Sequence, residues 1–220
     1  MSKTTNFYTS SVGRKLLVGL TGFFLCAFLS FHLYINLFLF KHDAGGTFDA
    51  YSEFLATYPL LRPIEIVLFL LFILHAFFAL WLWYANRRTR PAGYAVLRAS
   101  DNSKLESRIT FITGSVVLVF LVVHIYTFFV QSRFVATDES VTMYQRVAEA
   151  FRNPWYDAFY VAALVFLAYH LKHGFQSMFQ TFGLRSAKYR RLIDIVAIIF
   201  WLLIPLGFAA MPLYFLFRAH

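Results

Sequence analysis

The sequence predicts an all-α integral membrane protein, a bundle of five helices, and three observations carry that prediction. Hydrophobic residues make up 60% of the 220-residue chain and charged residues only 14%, against roughly 45–50% and about 25% in soluble domains. Apolar runs of about 20 residues, the length that crosses a bilayer, recur five times along the chain. Basic residues gather in alternate connecting segments, as positive-inside sorting requires. The apolar runs are continuous and do not alternate at every second residue, which excludes an outer-membrane barrel.

In chain order, residues 1–220 read as one transmembrane domain with spans at approximately 16–40, 64–85, 109–130, 155–182 and 192–217. A polar lead carrying Lys3, Arg14 and Lys15 precedes the first span. That span is about twice the length of a signal-peptide core and has no small-x-small cleavage site, so it is expected to be retained. Its Gly19 and Gly22 leave room for close helix packing or for a flat ring against the backbone. Residues 41–63 hold Asp43, Asp49 and Glu53 but only Lys41 and Arg62 as bases, giving an outer loop with a short interfacial helix near residues 48–57. Pro63 suits the first turn of the second span, which ends in an aromatic belt of Trp81, Trp83 and Tyr84.

Arg87, Arg88, Arg90, Arg98, Lys104 and Arg108 then mark an inner loop, and Asp138, Glu139 and Glu149 an outer one containing a surface helix at about 141–151. Pro154 opens the fourth span and Gly183 is placed to stop it. A second inner loop carries Arg185, Lys188, Arg190 and Arg191; the last span contains Pro205 and Pro212, tolerated in a membrane but expected to bend the helix. The N-terminus is therefore expected inside and the C-terminus outside.

Several functions are disfavoured at this stage. The single cysteine, Cys26, permits neither an intrachain disulfide nor an iron–sulfur cluster on four thiolates. No CxxCH is present for covalent c-type haem, and no GxGxxG or phosphate loop for a nucleotide. The net charge of +9 is accounted for by the inner loops, so nucleic acid is not an expected partner.

What demands explanation is histidine. His32, His75, His124, His170 and His173 lie inside four different apolar spans, where an ionisable side chain costs several kcal/mol without a partner. His32 lies 18 residues from Arg14 and His124 16 from Arg108, whereas His75 lies 12 from Arg87, and His170 and His173 lie 15 and 12 from Arg185. These counts sort the residues into an outer pair, His32 with His124, and an inner pair, His75 with His170 or His173. Using His170, the mean depths differ by roughly 5 Å. Two pairs at two depths fit two haems, each iron held axially by histidines from two helices. One zinc site fits less well, since its ligands must converge at a single level. His42 and His220 read as solvated surface residues, and Lys172 as a side chain reaching for the inner interface.

At these residues the chain resembles the single-chain, five-helix, di-haem cytochrome b membrane anchor of bacterial succinate:quinone oxidoreductases, the succinate dehydrogenases and fumarate reductases. The resemblance covers nearly the whole chain. It rests on SSVGRKLLVGLTG before and within the first span, HLYIN from His32, LHAFFALWLWY around His75, VVHIYTF around His124 and HLKHGFQSMFQTFGL from His170. It implies that His32 and His124 ligate an outer haem b, and that His75 and a fourth-span histidine ligate an inner one. In that family the fourth-span ligand stands four residues before a glycine, which selects His170, four before Gly174, with His173 as the alternative.

The resemblance further implies a flavoprotein and an iron–sulfur subunit as partners, menaquinone or another quinone as redox partner, and a place in the bacterial inner membrane. Succinate chemistry then belongs to the other chains. Two rivals stand beside it: the cytochrome b anchor of a hydrogenase or formate dehydrogenase, and a transporter with a histidine relay. Against the second, the sequence shows neither inverted repeats nor helices broken at matching positions.

Overall fold

A computed structural model describes residues 10–88, 102–135 and 141–218. Lys3, Arg90, Arg98, Asp138, Glu139 and His220 lie outside the described residues. Five helices are long and apolar enough to cross a membrane, Val12–Phe40, Leu61–Arg88, Ile109–Val135, Pro154–Thr181 and Arg190–Arg218, and the chain is a multi-pass membrane protein.

Each helix starts and stops for local reasons. In α1 (Ser11–Asn36) the Ser10 hydroxyl accepts the Gly13 amide at 2.9 Å, an N-cap that begins the helix in the polar lead, and the last turn tightens to a 3-10 form at Leu37–Phe40. A short helix, α2 (Gly46–Thr57), lies at the end of the bundle called outer below and leads into α3 (Leu61–Arg88). α4 (Asn102–His124) widens into a π-helix over Ile125–Val135, so the change of helix type falls directly after His124. α5 (Met143–Ala150) is short, amphipathic and begun by a capping box between Thr142 and Gln145. α6 (Pro154–Thr181) starts at Asn153, whose side chain accepts the Trp155 and Tyr156 amides, and ends at Gly183. There φ is +70° and the Leu184 amide reaches back to the Phe179 carbonyl at 3.0 Å.

The fifth span is built from α7 (Arg190–Ile198), a π turn at Ile199–Leu203, and α8 (Ile204–Arg218). Proline has no amide hydrogen and crowds the carbonyl four residues back, and the widened turn ahead of Pro205 accommodates both defects. Pro212 is fully buried inside α8.

α6 is the centre of the bundle. Its Asp157, Tyr160, Leu164, Leu171, Phe175 and Met178 repeat at helical spacing and form one buried stripe. α1 packs on α3 and α6, α4 on α6, and α8 on α6. Two apolar clusters result: an outer one around Leu39, Phe151, Tyr160, Phe208 and Phe215, and an inner one around Cys26, Leu171, Phe175, Met178 and Ala197. α3 buries none of its residues fully and turns Ile66 and Ile73 outward, as suits a helix at the lipid boundary.

α2 and α5 dock to each other over the outer end. The Asp49 carboxylate accepts the Tyr144 amide at 2.7 Å. Gly45, at φ +89°, lies under the Tyr144 ring, where a Cβ would come within 2.2 Å of Cγ. The hydroxyl and amide of Thr47 and the amide of Gly45 donate to Asp43, holding its carboxyl below the ordinary value.

Candidate functional site: two histidine pairs between the helices

The folded chain brings the histidines together two by two. His32 of α1 and His124 of α4 face each other with ring centroids 5.8 Å apart and ring planes at 90°. His75 of α3 and His170 of α6 do the same at 6.2 Å and 83°. His173, half-buried one turn further along α6, is not the ring that meets His75. His42 is exposed in the outer loop.

The inner pair is framed by glycine. A Cβ on Gly22 of α1 would sit 3.2 Å from His75 Cε1, and one on Gly114 of α4 would sit 3.3 Å from His170 Cε1. Each imidazole therefore lies against bare backbone of a neighbouring helix, the role open to Gly22 in the sequence. Thr21, next to Gly22, donates its hydroxyl hydrogen to the Leu17 and Val18 carbonyls at 2.8 and 3.1 Å, and its oxygen lies 3.1 Å from His75 Nδ1. With that hydrogen committed, Thr21 acts as acceptor for an Nδ1–H, which leaves His75 Nε2 with a free lone pair. The Nδ1 of His170 is buried without a hydrogen-bond partner among the described residues.

The outer pair sits in an aromatic shell. Phe28 stacks on His32 at 5.3 Å and Phe208 lies 5.5 Å from it, while Phe120 and Phe128 flank His124 at 5.7 and 5.2 Å. His124 Nδ1 is 2.7 Å from the Tyr160 hydroxyl. The Asn36 amide donates to the His32 carbonyl at 2.7 Å and lies 3.4 Å from His32 Nδ1.

The two histidine levels lie further apart than the count from basic residues implies. Gly22 marks the inner level on α1 and Gly114 marks it on α4, and each stands ten residues from the outer-pair histidine of its own helix. Ten residues of helix rise about 15 Å, three times the separation obtained by counting from basic residues. The count fails because the bases do not mark one plane. Arg14 lies over the Trp81 ring at 4.8 Å, so it is level with a residue six positions inward of Arg87, about 9 Å deeper.

The second and third spans are joined by side chains at both ends. Trp83 stacks on Phe111 at 4.2 Å toward the inner end, and Phe69 meets Phe129 at 5.2 Å toward the outer end. At the outer rim Glu65 Oε2 accepts from Arg62 at 3.2 Å and Arg133 at 3.1 Å, and both guanidiniums also donate to the Ala56 carbonyl. Further in, Lys172 lies over the Trp201 ring at 4.9 Å. Spacing and composition do not single out Thr21, Tyr160, Gly114 or the Glu65–Arg133 link. A threonine beside a glycine in an apolar span was a usable signal for Thr21, whereas Tyr160 is one of 13 tyrosines with nothing local to separate it.

Fold and site together define a class: a five-span helical membrane protein with two pairs of histidines buried between its first four spans. The family model described as Succinate dehydrogenase/Fumarate reductase transmembrane subunit matches residues 86–206. The chain belongs to that family. No curated protein and no solved structure matches it.

Proposed function

We propose that the chain binds two haem b groups, the outer held by His32 and His124 and the inner by His75 and His170, and conducts electrons between an iron–sulfur subunit and a quinone in the membrane. The observation that carries this reading is the separation within each pair. Two imidazoles bound to one metal through nitrogens about 2 Å from it have centroids about 6 Å apart, against 5.8 and 6.2 Å here. Among the described residues no three His, Cys, Asp or Glu side chains converge. A pair suits a metal whose remaining ligands come from a macrocycle; a protein-ligated zinc needs more.

Haem iron bound by two histidines supplies one-electron transfer with no open position for oxygen. The protein does the rest. Thr21 and Tyr160 orient His75 and His124 through Nδ1 and select the nitrogen offered to the metal. Gly22 and Gly114 let the inner imidazoles lie against backbone. Phe28, Phe120, Phe128 and Phe208 exclude water from the outer pair and keep its surroundings weakly polar.

In this reading the N-terminus is cytoplasmic, the C-terminus is external in a bacterial inner membrane, and a flavoprotein subunit carries the succinate chemistry. Menaquinone fits a pair of sites stacked through the bilayer. Family membership favours this assignment over a hydrogenase or formate dehydrogenase anchor and over a transporter. A redox-titrated visible spectrum of the purified complex tests it: two low-spin haems b per chain are expected, and His75→Ala or His170→Ala removes the inner component alone. One haem, or none, in the wild type refutes it.

A further inference from the structure

Around the two histidine pairs the first four spans form a ring with one loose side. α3 packs on α1, α1 on α6 and α6 on α4, whereas no comparable helix packing joins α3 to α4 or to the π segment that continues it, among the described residues. The histidine pairs lie on the diagonals of that ring, His32 facing His124 from α1 to the third span and His75 facing His170 from α3 to α6. The spans flanking the loose side are also thinly buried. α3 buries no residue fully and, among the described residues, the third span buries only Thr113.

What crosses this seam is confined to its ends. Trp83 stacks on Phe111 at the inner end, while Phe69 meets Phe129 and Glu65 meets Arg133 at the outer end. Phe69 and Trp83 are 14 residues apart with His75 between them, about 21 Å of helix. Over that stretch α3 makes no hydrogen bond, ion pair or ring contact to the third span among the described residues. The ends of the bundle are more firmly closed. α2 and α5 cover the outer one, with Phe48, Val147 and Phe151 buried in the outer apolar cluster. At the inner one Met178 and Phe182 lie against Gly19 of α1, where an added Cβ would sit 3.5 and 3.3 Å from them.

We propose that the seam between the second and third spans is a lateral portal through which haem enters the bundle from the bilayer, and that the side chains at its two ends are latches that close over the bound groups. Haem is flat and apolar over most of its surface, so it dissolves in hydrocarbon and needs a slot between helices, not an aqueous channel. Opening the slot breaks one aromatic pair at each end and one partly exposed ion pair, each a weak contact, and unpacks no helix interface. Local opening is drawn from the least buried part of a structure. Each haem then ties the ring across a diagonal through neutral imidazole lone pairs, with no redox step, and holds the two sides of the seam together. This assignment rests on the di-haem reading.

Haem leaves by the path it enters, so the test is the rate of haem transfer from the purified intact complex to excess apomyoglobin, followed by visible spectroscopy. In a Glu65→Cys, Arg133→Cys variant, bridging the two thiols with a reducible bis-methanethiosulfonate is expected to stop the transfer, and reducing the bridge to restore it. The native Cys26 is buried and stays in place. Phe40→Cys with Tyr214→Cys is the control: these rings meet at 5.0 Å between the first and fifth spans, away from the seam, and bridging them should leave the rate unchanged. Glu65→Gln and Phe129→Ala need no bridge; each is expected to release haem about fivefold faster, the factor a weak ion pair or an aromatic pair is worth, with the equilibrium spectrum intact. Equal slowing by the control bridge, no slowing by the seam bridge, or wild-type rates in both single variants overturns the portal. A wild-type complex without haem overturns the di-haem reading instead, and its starting spectrum tells the two failures apart.

Discussion

Replacing Gly22 with alanine sets two effects of opposite sign against each other. Alanine in a helix interior gains roughly 0.5–1 kcal/mol over glycine. The new methyl carbon would sit 3.2 Å from His75 Cε1, inside the approximately 3.5–4.0 Å of an ordinary carbon contact. The imidazole must yield by a few tenths of an ångström, and overpacking of this kind costs about 1–3 kcal/mol. For the fold the net is a loss of up to about 2.5 kcal/mol. For the inner site only the second applies, and under the proposed di-haem reading 1–3 kcal/mol corresponds to about 5- to 150-fold weaker haem binding there.

Gly114→Ala, at 3.3 Å from His170 Cε1, is expected to act alike, while Gly174→Ala is a control because nothing lies within 4 Å of its Cβ. The assay is haem per chain by pyridine haemochrome, with the low-temperature spectrum separating the two components. The inner component should fall in the first two variants, and the outer should persist because His32 and His124 are ten residues away along each helix. Equal loss in Gly174→Ala, or equal loss of both components in Gly22→Ala, would refute the reasoning.

Thr21→Val removes the acceptor at His75 Nδ1 and Tyr160→Phe the partner at His124 Nδ1; under the proposed di-haem reading each is expected to weaken haem binding about 10- to 100-fold, with the first perturbing only the inner spectral component and the second only the outer, as potentiometric titration would show. Glu65→Gln leaves the Arg62 and Arg133 guanidiniums with a weaker acceptor, and because these groups are partly exposed a loss of about 1 kcal/mol is expected in detergent unfolding, with both haem components intact. Gly45→Ala strains a backbone at φ +89° and drives a methyl into Tyr144; about 3 kcal/mol of local stability should be lost, visible as faster amide exchange across α2 and α5 with little change in the membrane spans.

Much of the architecture was legible in the chain because hydrocarbon leaves the backbone few options. A continuous apolar run must become a helix, since no water is available for unpaired amides, and basic loops at alternate ends order the runs. The short helices α2 and α5 were legible too, the second from the helical spacing of its apolar residues. Helix types were not: the π segments after His124 and before Pro205 arise from packing and from proline sterics that have no periodic signature.

For the site, composition and spacing determined that four spans carry histidines and that they divide into an outer and an inner group. Whether His170 or His173 meets His75, and how far apart the groups lie, was decided by the packed bundle. The face a side chain presents depends on the rotation of its helix against its neighbours, and depth depends on where each helix sits in the bundle, as Arg14 over the Trp81 ring shows. Thr21, Gly114 and Tyr160 gain their histidine contacts only from what the other helices place against them. A linear sequence specifies each helix almost alone; contacts between helices are products of all of them at once.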